Sequence, residues 1–175
     1  MRWEDIPQLT SWGSYEVQYE LFEDFIRHIE SEEAEYYLEL NPDFQRGHVW
    51  TEQQQVSYIE YVISGGKTGT ILLNAYDWPQ VKKRGDYVCV DGLQRITAIK
   101  KFYHNEIKAF SHYYSEFEGK LPFLKYSIPV NVNNLKTREE VLKWYIELNS
   151  GGTPHTVEEI EKVRDLLRKE KENNK

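Results

Sequence analysis

Apolar residues recur along the chain in two rhythms, and the switches between them mark out its elements. Leu21, Phe22, Phe25, Ile26 and Ile29 fall at helical spacing with acids between them, which predicts a core helix from Glu20 to about Ser31. Thr51-Glu52-Gln53-Gln54 has the form of a capping box, so a second helix should run from Glu52 to about Ser64 with Val56, Ile59, Tyr61 and Ile63 inward. Thr137-Arg138-Glu139-Glu140 and Thr156-Val157-Glu158-Glu159 are two more such boxes. The first opens a helix to about Leu148 with Val141, Trp144, Tyr145 and Leu148 on one face, and the second a charged last helix that frays from about residue 168. Strand patterns lie at Tyr15–Tyr19, Tyr36–Leu40, Thr70–Tyr76 and Tyr126–Val132, where Pro129 argues for an edge position. The run between His104 and Lys125 has no clean period.

The stretch Tyr87–Tyr103 joins the two rhythms most closely. Tyr87-Val88-Cys89-Val90 reads as a strand, Asp91-Gly92 as a tight turn, and Ile96, Ile99 and Phe102 as the buried stripe of a helix from Leu93 to about Asn105. Residues 78–86 form the loop before it, so this strand should pair antiparallel with Thr70–Tyr76. Asp91, Gln94 and Arg95 then stand at a helix start, where unpaired N–H groups and the positive end of the helix dipole attract anions. Arg95 adds a planar fork suited to phosphate.

Length and composition narrow the picture. The 175 residues fit one domain, residues 1–175, with an N-terminal arm over 1–16, and 39% hydrophobic residues suffice for a core. There is no membrane-length apolar run and no signal-peptide pattern, so a cytoplasmic protein is expected. Cys89 is the one cysteine, which excludes an internal disulfide, and its place in an apolar strand predicts a packed thiol. His28, His48, His104, His112 and His155 lack metal-ligand spacing. A net charge of −7 argues against nucleic-acid binding over the whole surface, which leaves the basic loop Lys82-Lys83-Arg84 as the one place for DNA.

Three polar clusters adjoin helix ends: FQRGHVW at 44–50, VDGLQRIT at 90–97 and LNSGGTP at 148–154. In their order and spacing they resemble the DGQQR family, the N-terminal domain of GmrSD-type modification-dependent restriction endonucleases. The likeness extends from about Val17 to Ile160. It implies an α+β fold of the ParB and sulfiredoxin group, a small mixed sheet with surrounding helices, and a nucleotide-binding domain that hydrolyses nucleoside triphosphates with Mg²⁺. By the same resemblance, Arg46 and Arg95 contact phosphates, Gln45 and Thr97 belong to the pocket, and Gly92 lets the backbone approach. Asp91 holds Mg²⁺ or orients a water, Gln94 positions the attacking water, and Asn149, Gly151 and Gly152 close over the ligand. A structural ion pair with Asp91 or Asp43 is the alternative for both arginines. Trp50 and His48 are candidates to stack on a base. Two positions depart from the pattern: Leu93 replaces the first glutamine of the motif, and His155 an aliphatic residue. The chain ends at Lys175, so nuclease activity is not expected of it, and a nuclease subunit or other protein acting in trans is the expected partner. The competing expectation is a non-enzymatic module, a regulator, decoy or inhibitor of a restriction system.

Overall fold

The computed structural model describes residues 15–19, 22–31, 38–45, 47, 49–76, 86–118, 128–150 and 157–173. Within them, strands β1 (Tyr15–Tyr19), β2 (Leu38–Glu39), β3 (Ile71–Ala75), β4 (Tyr87–Asp91) and β5 (Ile128–Asn133) form one sheet in the order β1-β5-β3-β4-β2. The sheet is mixed. β1 runs antiparallel to β5 and β3 antiparallel to β4, while β3–β5 and β2–β4 are parallel. Helices α1 (Phe22–Ile29), α2 (Glu52–Ile63), α3 (Leu93–Tyr103), α4 (Arg138–Ser150) and α5 (Val157–Asn173) cover it, giving the α+β class the sequence predicts. No helix is long and apolar enough to cross a membrane among the described residues.

Strand alternation divides the core into two layers. Cys89 of β4 joins Ile71, Leu73 and Ala75 of β3 and Ile128, Val130 and Val132 of β5 on one face, under α1, α2 and α3. Val88 and Val90 face the other way, with Phe44, Val141, Leu142, Tyr145 and Val163 under α4 and α5. Burial pushes the Cys89 thiol up to about 12, with the Asp91 charge adding to it, so the thiol is inert packing.

Two capping boxes form as the sequence predicts. Thr51 Oγ1 accepts from Gln54 N at 3.3 Å while Gln54 Oε1 accepts from Thr51 N at 2.9 Å. Thr137 Oγ1 accepts from Glu140 N at 3.2 Å, and Glu140 Oε2 accepts from Thr137 N at 2.9 Å. The third box, at Thr156, begins outside the described residues.

Four expectations change. β5 is interior, between β1 and β3, despite Pro129. Pro129 pairs with Gln18 of β1, but β3 first meets β5 at Val130, so one side of the proline carries no strand and its missing N–H costs less there. Tyr61 and Leu148 lie exposed: Tyr61 is on the side of its helix away from buried Gln55, Ile59 and Val62, and Leu148 is in the last turn of its helix. α5 continues to Asn173, past residue 168, with Arg164–Glu161, Arg168–Asp165 and Arg138–Glu170 pairs along it. The aperiodic region after α3 contains a tight turn closed by an Ala109–His112 bridge and a single 3₁₀ turn at Tyr114–Glu116.

Candidate functional site

β4 carries one extra residue, Val90, relative to β3, since Leu72 faces Asp91 and Leu73 faces Cys89. Such a bulge bends the strand and re-aims the side chains beyond it. Asp91 then ends the strand, Gly92 turns at φ 117°, and α3 begins at Leu93. A Cβ on Gly92 would stand 3.0 Å from Ile71 Cγ1 and 3.3 Å from Ile71 Cα, so both the dihedral and the space demand glycine. Gly92 has no side chain with which to cap the helix, and Leu93 N–H reaches the Cys89 sulfur. The N–H groups of Gln94 and Arg95 are left at the positive end of α3.

Here lies a cleft of about 170 Å³, lined by Gln45, Trp50 and the whole stretch Asp91–Arg95. Arg95 Nη2 donates to Asp91 Oδ2 at 2.6 Å, with the Arg95 side chain 19% and that of Asp91 54% exposed. The structural pair named as the alternative for Arg95 is therefore formed. Asp43 pairs instead with Arg138, at 2.8 Å. The guanidinium of Arg95 also abuts Gly69, where an added Cβ would collide with Nη1.

The two glutamines act as struts between segments far apart in sequence. Gln94 Oε1 accepts from Val49 N at 3.0 Å and Trp50 N at 3.1 Å, and its Nε2 donates to Gly47 O at 2.7 Å. Both ends of that amide hold the 47–50 loop against α3, so Gln94 positions the loop. Gln45 Nε2 donates to Cys89 O at 3.0 Å and Val90 O at 2.9 Å, tying the first motif to β4. Trp50 rests on Tyr58, ring centroids 5.3 Å apart. Leu93 is buried in the core at 8% exposure while still forming part of the cleft wall.

Thr97 and Asn149, also named from the sequence, stand apart from the cleft. Thr97 Oγ1 donates back to Leu93 O at 2.8 Å within α3, and Asn149 Nδ2 donates to Tyr145 O at 2.7 Å within α4. Neither lines the cleft. Arg46, His48, Gly151, Gly152, His155 and the basic loop Lys82–Arg84 lie outside the described residues. Sequence reading missed Tyr58, Thr68 and Gly69 behind Arg95. The signal for the last two lay in the glycine-rich connection at Gly65, Gly66 and Gly69 between α2 and β3.

For a divalent cation the donor set is spare. No group of three or more His, Cys, Asp or Glu side chains converges among the described residues, and the cleft offers one carboxylate, Asp91. That suits Mg²⁺, which keeps several waters and takes one or two carboxylates plus phosphate oxygens. When bound with a nucleotide, the ion would neutralise phosphate charge, and Asp91 is the residue to hold it.

A strand–turn–helix with a helix start that has no side-chain cap, and an arginine in the first turn paired with a partly exposed carboxylate, together form a small polar cleft on a mixed α+β sheet. The family model for the GmrSD restriction endonuclease, N-terminal domain, matches residues 22–127, and the chain belongs to that family. The match takes in the first two motifs and stops short of the third at 148–154. No curated protein and no solved structure matches the chain.

Proposed function

We propose that this chain serves a restriction system as a nucleotide-binding domain, taking a nucleoside triphosphate with Mg²⁺ at the start of α3. The observation that carries the reading is the cleft at Asp91–Arg95. A helix start with no side-chain cap and a guanidinium line it, and among the described residues its one carboxylate suits Mg²⁺. At about 170 Å³ the cleft has room for a phosphate group rather than for a whole nucleotide, given that ligand pockets span roughly 300–1,000 Å³. The base then lies towards Trp50. The kinship with the ParB and sulfiredoxin group belongs to the same proposal and rests on the strand–turn–helix at Tyr87–Tyr103.

Binding and turnover separate in this reading. Catalysis of phosphoryl transfer depends on positioning and charge neutralisation. Leu93, where the family has its first glutamine, brings no amide to the cleft, and Gln94 is engaged with the 47–50 loop. These two facts favour a second reading, a regulator or decoy of a restriction system that binds nucleotide or a protein partner without hydrolysis.

Calorimetry with each nucleoside triphosphate and Mg²⁺ tests the proposal, followed by phosphate release. Arg95→Ala should weaken binding by about 1.5–3 kcal/mol, the range for a hydrogen bond to a charged group. A folded wild-type protein that binds no nucleoside triphosphate overturns it. Phosphate release decides between enzyme and non-hydrolysing module, and a partner retained by Arg95→Ala in pull-down favours the latter.

A further inference from the structure

The loop between α2 and β3 bears on Arg95 in a way that the three motifs do not predict. Gly69 adopts φ +76°, and a Cβ there would run into Arg95 Nη1. The neighbouring atom is the far end of a flexible side chain, so any substituent would be relieved by moving the guanidinium rather than the backbone. On its other side the same guanidinium meets Asp91 Oδ2 at 2.6 Å. It is thus held between a carboxylate and a bare stretch of backbone.

The backbone wall is itself anchored. Tyr58 Oη donates to Thr68 O at 3.2 Å, Thr68 is buried at 4% exposure, and its Oγ1 donates to Gly69 O at 3.2 Å. Burial raises the Tyr58 pKa, with the Arg95 charge working against it, so the phenol stays protonated and keeps donating. The Tyr58 ring in turn supports Trp50, which lines the cleft. Tyr58 therefore braces two walls of one site.

We propose that Gly69, strapped down by the Tyr58–Thr68 hydrogen bond, is a positioning residue for the anion-binding guanidinium of Arg95. This rests on the phosphate-binding reading of the cleft. The physical basis is that a planar fork grips an anion only when its plane and direction are set, and a side chain with several torsions must otherwise be ordered at the moment of binding. Glycine at position 69 is the one residue that leaves room for the fork.

Arg95→Lys supplies the control, because lysine has no Nη1 to collide with a Cβ at position 69. Binding of Mg²⁺ with each nucleoside triphosphate, and of inorganic triphosphate, would be measured for wild type, Gly69→Ala, Arg95→Lys and the double variant, with Tyr58→Phe alongside. Gly69→Ala should weaken binding roughly tenfold in the arginine background, the scale of one charge-assisted hydrogen bond, and leave the lysine background unchanged. Its thermal shift, caused by the positive φ, should be equal in both backgrounds. Tyr58→Phe should weaken binding in the same background-dependent way, by a smaller factor. Equal affinity losses in both backgrounds, or none in either, overturn the proposal.

A readout free of ligand separates this proposal from the function it rests on. The Arg95 Nε–Hε resonance of the ligand-free protein should shift in Gly69→Ala. A shift in a protein that binds no triphosphate would uphold the placement of Arg95 and sink the nucleotide reading, whereas an unmoved resonance overturns the role of Gly69 whatever the protein binds.

Discussion

The two ends of α3 carry ionic clusters of similar make-up that do different work. At the C-terminal end, Glu30, just after α1, accepts from Lys100 Nζ and His104 Nε2, each at 2.9 Å. The Lys100 ammonium faces the negative end of the helix dipole and is paired with Glu30, so the cluster joins two helices. At the N-terminal end, Arg95 stands in the first turn, where a positive charge opposes the dipole. Asp91 offsets it, across four residues of the same segment. A cluster that satisfies its helix stabilises the fold, while one that opposes the dipole leaves positive potential at the helix start, the premise of the proposed anion site. Composition alone would not have told the two apart.

The sharpest way to break this contrast is at the turn that creates the N-terminal end. Gly92→Ala adds a Cβ against Ile71 at φ 117°, and should cost about 2–4 kcal/mol in urea denaturation from strain and overpacking. A loss well under 1 kcal/mol would mean that the turn tolerates a side chain and is not the fixed frame of the cleft.

Next in size, Asp91→Asn removes the internal counter-ion of Arg95. Triphosphate without Mg²⁺ should then bind about two- to fivefold more tightly, the worth of a partly exposed ion pair, and added Mg²⁺ should no longer strengthen binding. Calorimetry with and without a chelator reads both effects. Unchanged metal-free affinity would remove Asp91 as the competitor of phosphate.

An effect of much the same size belongs to the C-terminal end. Burial raises the pKa of Glu30, but hydrogen bonds from Lys100 and His104 outweigh it and hold the carboxyl below its ordinary 4.5. A lowered carboxyl pKa stabilises the fold above the unfolded value and loses that contribution as pH falls through the folded one. Glu30→Gln should therefore cost about 0.5–1 kcal/mol at pH 7, with the gap to wild type closing below pH 4.5. Nucleotide affinity should not change. A difference in stability that is independent of pH would take Glu30 out of the electrostatic account.

Local chemistry was legible from residues alone. The capping boxes at Thr51 and Thr137 involve positions three apart, and the strand–turn–helix at Tyr87–Tyr103 is one continuous segment. The helix start that lines the cleft was legible for the same reason. Less visible were the Gln94 and Gln45 struts, whose partners are 44 to 47 residues away. A glutamine beside an arginine in a phosphate-binding motif suggests chemistry until its partners are known. The sequence places Tyr61 and Leu148 inward yet both lie exposed, because spacing alone does not say which side and which turns of a helix the core covers.

By itself the sequence determined the elements, the helix starts, the glycine-dependent turn and the family, since these rest on short-range spacing and on motifs that survive without a fold. Only the tertiary structure decided that the strand carrying Pro129 lies inside the sheet, that Gln45 and Gln94 brace β4 and the loop before α2, and that Gly69 forms the wall behind Arg95. Each of those depends on which distant segments touch, and hydrophobic pattern sets burial without setting partners.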